Sequence, residues 1–234
     1  MIITEGLAKQ FGHRQVLKDL HLNLSSSKIT ALIGHNGSGK TTLLKCILGL
    51  VRPTRGSILF DEHDVANAVE YRRGIGYMPQ ITHFPENLSA RELVKMITDL
   101  RGQSPSRLEF LIEYFSFEGE LDQALRYMSG GTRQKVNAII ALMFGPPFMA
   151  LDEPTAGLDP LASKLLKDLL ITERDAGKTI LITSHNTHEL EEISDEILYL
   201  FDGGILFHGS VADLKRQTRQ DNLERAIAHL MSQS

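Results

Sequence analysis

The chain has no tryptophan and a single cysteine, Cys46. One thiol excludes an internal disulfide and fits a reducing compartment. Cys46 falls within a helical pattern, so an inert thiol in or near the core is expected. No apolar stretch approaches the roughly 20 residues that a membrane-spanning helix needs. The opening Met-Ile-Ile-Thr-Glu lacks the charged-then-apolar pattern of a signal peptide. Positive charge is not in excess either: 25 Lys and Arg against 29 Asp and Glu leave a net charge of −4. A chain-wide electrostatic footprint for nucleic acid is therefore missing. The one basic cluster, Lys215, Arg216 and Arg219, reads as a solvated helix face. The seven methionines show no metal-ligand spacing and read as packing residues. Internal repeats and low-complexity segments are absent. A soluble, cytoplasmic-type protein is expected, with any membrane role running through another chain.

What the chain does have is a core. Its 234 residues, 42% of them hydrophobic, suit one globular unit with room for an inserted subdomain. Residues Gly34-His35-Asn36-Gly37-Ser38-Gly39-Lys40-Thr41 complete the pattern G-x-x-x-x-G-K-[ST]. Glycines let such a backbone curl until successive N–H groups point at a phosphate. Lys40 can then reach the β and γ phosphates, and the Thr41 hydroxyl can sit on Mg²⁺. The context agrees. Ile29 to Ile33 reads as a strand, and Thr42 to Leu48 as a helix with Leu43, Leu44, Ile47 and Leu48 at helical spacing. Phosphate would then lie at a helix N-terminus, where the macrodipole and free N–H groups favour an anion. Gly34 to Thr42 are the candidate phosphate-binding residues.

Further along, Ile2 to Ala8, Val16 to Leu24, Gly56 to Phe60 and Ile75 to Met78 read as strands. Ser89-Ala90-Arg91-Glu92 is a capping box, continued by Leu93, Ile97 and Leu100 as a helical stripe. Leu108, Leu111, Ile112 and Phe115 form a second stripe. Val136 to Phe144 is a third helix, stopped by Gly145-Pro146-Pro147. Residues 85 to 145 thus read as an all-helical insert. Strands return at Phe148 to Leu151 and Thr179 to Thr183, with a helix from Leu161 to Asp175 between them. Glu196 to Phe201 and Gly204 to Phe207 read as a hairpin around Asp202-Gly203, and Val211 to Met231 as a helical tail. This alternation argues an α/β fold with a largely parallel sheet and an early antiparallel part.

Five further segments narrow the choice among phosphate-loop proteins. Gln80 follows the strand Ile75 to Met78. Ser129-Gly130-Gly131-Thr132-Arg133-Gln134 opens the third helix. Phe148-Met149-Ala150-Leu151-Asp152-Glu153 is an apolar strand ending in two carboxylates. Ala156-Gly157-Leu158-Asp159 follows Pro154-Thr155, and His185 follows Ser184 after a strand. In this order and at these spacings, residues 2 to 209 resemble the nucleotide-binding subunit of ATP-binding-cassette (ABC) transporters. The resemblance implies a mixed-sheet ATPase core (1–84 and 146–209), a helical subdomain (85–145) carrying the signature, and a helical tail (210–234). ATP and Mg²⁺ are the implied ligands.

By this resemblance Asp152 holds Mg²⁺, as a hard cation wants oxygen ligands, with Thr41 and Gln80 as further contacts. Glu153 polarises the water that attacks the γ-phosphorus, and His185 orients it. Gln80 sits where sheet and insert meet, suited to pass nucleotide state onward. Ser129, Gly130 and Gly131 form the signature, a second anion site at a helix start. It closes over ATP held by another subunit, and Asp159 is grouped with these nucleotide contacts. The implied active form is a dimer, expected to be a homodimer, with two shared sites. The family most often has Leu-Ser-Gly-Gly-Gln where this chain has Met128-Ser129-Gly130-Gly131-Thr132. Phe11 lies where the family stacks an aromatic on adenine; an ordinary core Phe is the competing reading.

Separate transmembrane permease subunits are the implied partners, met through Thr82 to Ser89. Asn222-Leu223-Glu224-Arg225-Ala226 resembles the end of exporter-type cassettes. The Phe-Pro-Glu-Asn run resembles cassettes serving nitrous-oxide-reductase copper-site maturation. The rival from another class is a soluble cassette ATPase acting on nucleic acid or the ribosome. Such relatives are usually two-cassette, long-insert or basic chains, and this one is mildly acidic. A P-loop kinase would have no reason for the Ser-Gly-Gly helix start or the Asp-Glu pair.

Overall fold

The computed structural model describes residues 2–67 and 69–232. The N-terminal part runs β1 (Ile2–Phe11), β2 (Arg14–Leu24), β3 (Ile29–Ile33), α1 (Lys40–Ile47), β4 (Arg55–Phe60), β5 (His63–Asp64) and β6 (Ile75–Met78). The helical stretch holds α2 (Ala90–Arg101), α3 (Leu108–Tyr114) and α4 (Gly130–Leu142). The chain then continues as β7 (Phe148–Asp152), α5 (Pro160–Asp175), β8 (Thr179–Thr183), α6 (Thr187–Ile193), β9 (Glu196–Phe201), β10 (Gly204–Ser210), α7 (Val211–Thr218) and α8 (Leu223–Ser232).

Two sheets form, ordered β2-β1-β4-β5 and β10-β9-β3-β8-β7-β6. The first is antiparallel throughout. The second is parallel except for the β9–β10 hairpin. β3, β7 and β8 are buried at all five positions, as strands of a parallel sheet covered on both faces must be. Alternate side chains go to opposite faces. Ile29, Ala31, Ile33, Ile180 and Ile182 pack with the helical residues Ile139, Leu166, Leu190 and Leu230. Leu32 and Leu181 pack on the other face with Leu43, Leu44 and Ile47 of α1 and with Leu7 and Leu20 of the antiparallel sheet. The six-stranded sheet is thus the middle layer between two cores.

The capping box forms as expected: Ser89 Oγ accepts from the Glu92 amide at 3.2 Å, and Glu92 returns a contact to the Ser89 amide at 2.8 Å. Among the described residues from 85 to 145 there is no strand, only one bridge between Ser89 and Ala124. An ion pair from Arg107, just before α3, to the buried Glu173 of α5 ties this stretch to the sheet layer, joined by Lys178 at 2.9 Å.

Several expectations shift. The third helix runs from Gly130 to Leu142, so it includes the Ser-Gly-Gly opening as well as the stripe from Val136, and it stops short of Phe144; Ser129 caps its start by accepting from Thr132 N. The tail is two helices, not one. Arg219 adopts φ 56° and closes α7 with a left-handed cap, a turn the helical pattern does not announce. Lys215 and Arg216 pair with Glu191 and Asp213. α6 went unanticipated: seven residues with two buried side chains, Leu190 and Ile193, leave too weak a period. Cys46 is buried and its thiol is pushed up to about 11 by burial, so the inert reading holds. Met96 and Met231 are exposed rather than packed.

Replacing Ser89 by Ala removes the cap that orders the first turn of α2. The expected loss is about 1 kcal/mol of stability, read as a lowered denaturation midpoint with an unchanged slope.

Candidate active site

The site is built at the C-terminal ends of adjacent parallel strands. The loop after β3 curls over the start of α1. Gly39 adopts φ 108°, and a Cβ there would lie 2.7 Å from Leu17 Cδ2 and 3.0 Å from the Val16 carbonyl. Only glycine fits that approach without strain. Ser38 is fully buried, and its hydroxyl has no hydrogen-bond partner among the described residues. Lys40 Nζ donates to the carbonyls of Gly34 at 2.6 Å and His35 at 3.2 Å. Burial pushes the Lys40 ammonium down, while the Glu153 and Asp152 carboxylates oppose that shift.

Asp152 and Glu153 end β7, and Thr183 at the end of β8 holds both. Its hydroxyl donates to Asp152 Oδ1 at 2.5 Å and accepts from the Glu153 amide at 3.1 Å. Glu153 takes φ 52°, a left-handed conformation that costs a non-glycine residue about 1 kcal/mol or more. A continued strand would send the two carboxylates to opposite faces of the sheet; with this turn both line one cleft. Burial raises the Glu153 carboxyl above its ordinary range. His185 counteracts this: its amide donates to Glu153 Oε2 at 3.3 Å, and its ring Nε2 lies 3.5 Å from Oε1.

These parts share one cleft of about 460 Å³. Its walls carry Phe11, Asn36, Gly37, Gly39, Lys40, Thr41, Thr42, Gln80, Asp152, Glu153 and His185. Phe11 is 50% exposed with the Lys9 ammonium 4.7 Å from its ring centre, which rules out the core-Phe reading. Gly34 and Ser38 lie beneath the loop. His35 turns instead to Phe201, with ring centres 5.3 Å apart. Ser129, Gly130 and Asp159 are exposed and do not line this cleft. They gather elsewhere: a Cβ on Gly131 would lie 3.0 Å from the Gly157 carbonyl, so the signature and the loop before α5 adjoin. Asp159 caps α5 by accepting from Ala162 N at 2.9 Å. Thr132 Oγ1 lies 2.8 Å from Ser129 Oγ.

Sequence reasoning missed Arg14 and Val16, which also line the cleft, and Thr183. Arg14 and Val16 open β2, far from any motif, and Thr183 looks like an ordinary strand end. Only strand pairing of Asp152 with Thr183 brings the hydroxyl into place.

The cleft fits a nucleoside triphosphate: a glycine cradle closed to any Cβ, one ammonium, and an unpartnered hydroxyl beneath. Among the described residues no group of three or more His, Cys, Asp or Glu could hold a metal. Asp152 with the Thr41 hydroxyl suits Mg²⁺, which keeps waters and phosphate oxygens as its other ligands.

A family model described as ABC transporter matches residues 17–156. The chain belongs to the ABC transporter family. It is 32% identical over 225 residues to the lantibiotic transport ATP-binding protein SrtF of Streptococcus pyogenes, covering 96% of this chain and 94% of that protein. It is 32% identical over 221 residues to the lipopolysaccharide export system ATP-binding protein LptB of Escherichia coli K12, covering 91% and 92%. A solved ATP-binding subunit of an ABC transporter superposes with a TM-score of 0.92 at 30% identity, covering 99% of both chains. A cassette solved as a dimer in a post-hydrolysis state with ADP and Pi gives 0.81 at 26% identity, covering 90% of this chain and 99% of that one. This ABC cassette is an ATP-binding, ATP-hydrolysing subunit of a transporter.

Lys40→Ala removes the one ammonium aimed into the phosphate loop of the cassette. ATP affinity should fall about tenfold or more, the measure of a hydrogen bond to a charged group. Equilibrium binding of a fluorescent ATP analogue checks it, and an unchanged dissociation constant would remove Lys40 from the site.

Proposed function

We propose that this cassette binds ATP with Mg²⁺ in the cleft, pairs with a second copy across two shared nucleotides, and hydrolyses them to move separate membrane subunits. The observation that carries this reading is the convergence of Lys40, Asp152, Glu153, His185 and Gln80 on one cleft. A second group lies outside it: Ser129, Gly130 and Asp159 on exposed surface, with the half-buried Gly131 beside them.

In this reading the phosphate loop, Gly34 to Thr42, holds the triphosphate by backbone N–H groups and Lys40, and Phe11 stacks on the base. Thr41, Asp152 and Gln80 would hold Mg²⁺, which would neutralise phosphate charge. Glu153 accepts a hydrogen bond from the attacking water, and its burial keeps the carboxylate poorly solvated and basic. His185 braces Glu153 through the amide and ring contacts. Hydrolysis cleaves the bond between the γ-phosphorus and the leaving ADP oxygen as water adds to phosphorus.

In this reading the labour divides into a core, 1–84 and 146–209, a helical subdomain, 85–145, and a tail, 210–234. No helix among the described residues is long and apolar enough to cross a membrane, so the membrane part belongs to other chains. The transport and export roles named for SrtF and LptB support exporter-type permease subunits and a position on the cytoplasmic face. The segment Thr82 to Ser89 is the contact, next to Ile81, which is 69% exposed. Net acidity and the transport relatives oppose a nucleic-acid target.

Two outcomes test this. Because burial raises the Glu153 carboxyl in the free chain, kcat/KM for ATP should fall as pH drops through that raised value, with the ionised form active on the alkaline side. A profile of kcat/KM against pH whose acid limb sits at the ordinary Glu value, about 4.3, would remove Glu153 as the base. In a Glu153→Gln background ATP should convert monomer to dimer by mass action, and Ser129→Arg should abolish that shift while sparing the monomer's ATP affinity. Sedimentation velocity reads both, and an ATP-independent mass contradicts the shared site.

A further inference from the structure

Two amide side chains buried on α4 take no part in this scheme. Asn137 is 1% exposed and Gln134 8%. Asn137 Nδ2 donates to the Pro79 carbonyl at 3.0 Å. That carbonyl belongs to the peptide linking Pro79 to Gln80, so the bond sets the plane from which Gln80 departs. Gln134 Nε2 donates to the Pro154 carbonyl at 3.0 Å and lies 3.4 Å from that of Glu153. These acceptors flank the point where Glu153 is held in its left-handed turn. The two amides also approach each other, Asn137 Nδ2 lying 3.5 Å from Gln134 Oε1. Spaced three residues apart, they share one face of the helix.

Their surroundings make the arrangement informative. Val136, Ala138 and Ile139 beside them are buried in the apolar core. A primary amide there is costly unless its hydrogen bonds are made. Here the donors go to the two loops that carry Gln80 and Glu153. The same helix opens at Ser129. α4 therefore holds both loops at once, whereas Lys40 and the phosphate loop follow β3.

We propose that Gln134 and Asn137 are positioning residues, a buried amide pair through which α4 aligns Glu153 and Gln80 together and so sets hydrolysis without setting ATP affinity. This rests on the roles given above to Gln80 and Glu153.

The test uses the full chain. Asn137→Leu keeps the side-chain volume and removes the donor. Turnover should fall about tenfold while the ATP dissociation constant moves less than about twofold, the split expected when alignment rather than binding is lost. In a Gln80→Ala background the same substitution should cost little more, because it acts through Gln80. Asn137→Ala is the second variant, used if Asn137→Leu melts below assay temperature, with the same expected pattern. Unchanged turnover, or the same fold-loss in both backgrounds, would overturn the amide pair as a positioning device. Gln80→Ala with wild-type turnover is a different result: it overturns the role of Gln80 and the Asn137 arm with it. A slow Gln80→Ala beside a harmless Asn137→Leu leaves that role standing and sinks only the positioning proposal.

Discussion

The parallel pairing of β3, β8, β7 and β6 is the constraint on which the site depends. Four neighbouring strands run the same way, so their following loops all open at one edge of the sheet. The loop after β3 carries Lys40, that after β8 His185, that after β7 Glu153 and that after β6 Gln80. In sequence they lie far apart; in space they are separated by strand spacings of about 4.8 Å each. Ligands of open α/β sheets gather at such carboxyl edges for this reason. The buried faces on both sides enforce the pairing, since a one-residue slip would send Ile180 and Ile182 into the wrong core.

Given that edge, the local chemistry runs against stability in several places. Glu153 sits in a left-handed conformation with a poorly solvated carboxylate, Lys40 is partly desolvated, and the Ser38 hydroxyl has no hydrogen-bond partner among the described residues. Each is a cost that the two cores offset. Thr183 does most to make the arrangement tolerable, because one hydroxyl satisfies both the Asp152 carboxylate and the Glu153 amide. Strain concentrated where charge must be handled is the usual pattern of a functional site.

The helical stretch adds a second layer of organisation. It touches the sheet layer through ion pairs such as Arg107 with Glu173, and through α4, whose Gln134 and Asn137 meet the loops after β7 and β6. Its exposed start, Ser129, adjoins the loop before α5 instead of the cleft. One helix thus spans from an outward-facing surface to the interior of the site. That geometry gives an event at the surface a short mechanical route to Glu153, the carboxylate we propose as the base.

Strong local patterns determined much of this from sequence alone. Five consecutive β-branched and aliphatic residues before a glycine loop read as a strand, and the structure buries all five. Ser89 with Glu92 announced a helix start, and Asp202-Gly203 a tight hairpin, because these rest on contacts within a few residues. The phosphate loop, Asp152 and Glu153 were legible for the same reason: their chemistry is carried by adjacent positions. What only the tertiary structure decided depends on contacts between distant segments. The break at Arg219, the short α6, the half-exposed ring of Phe11, the part played by Thr183 and the separation of Ser129 from the cleft are of this kind. So are Gln134 and Asn137, which sit on one helix but hold loops roughly 20 and 58 positions away. No periodicity marks such residues, because the partner that gives each its meaning is chosen by packing.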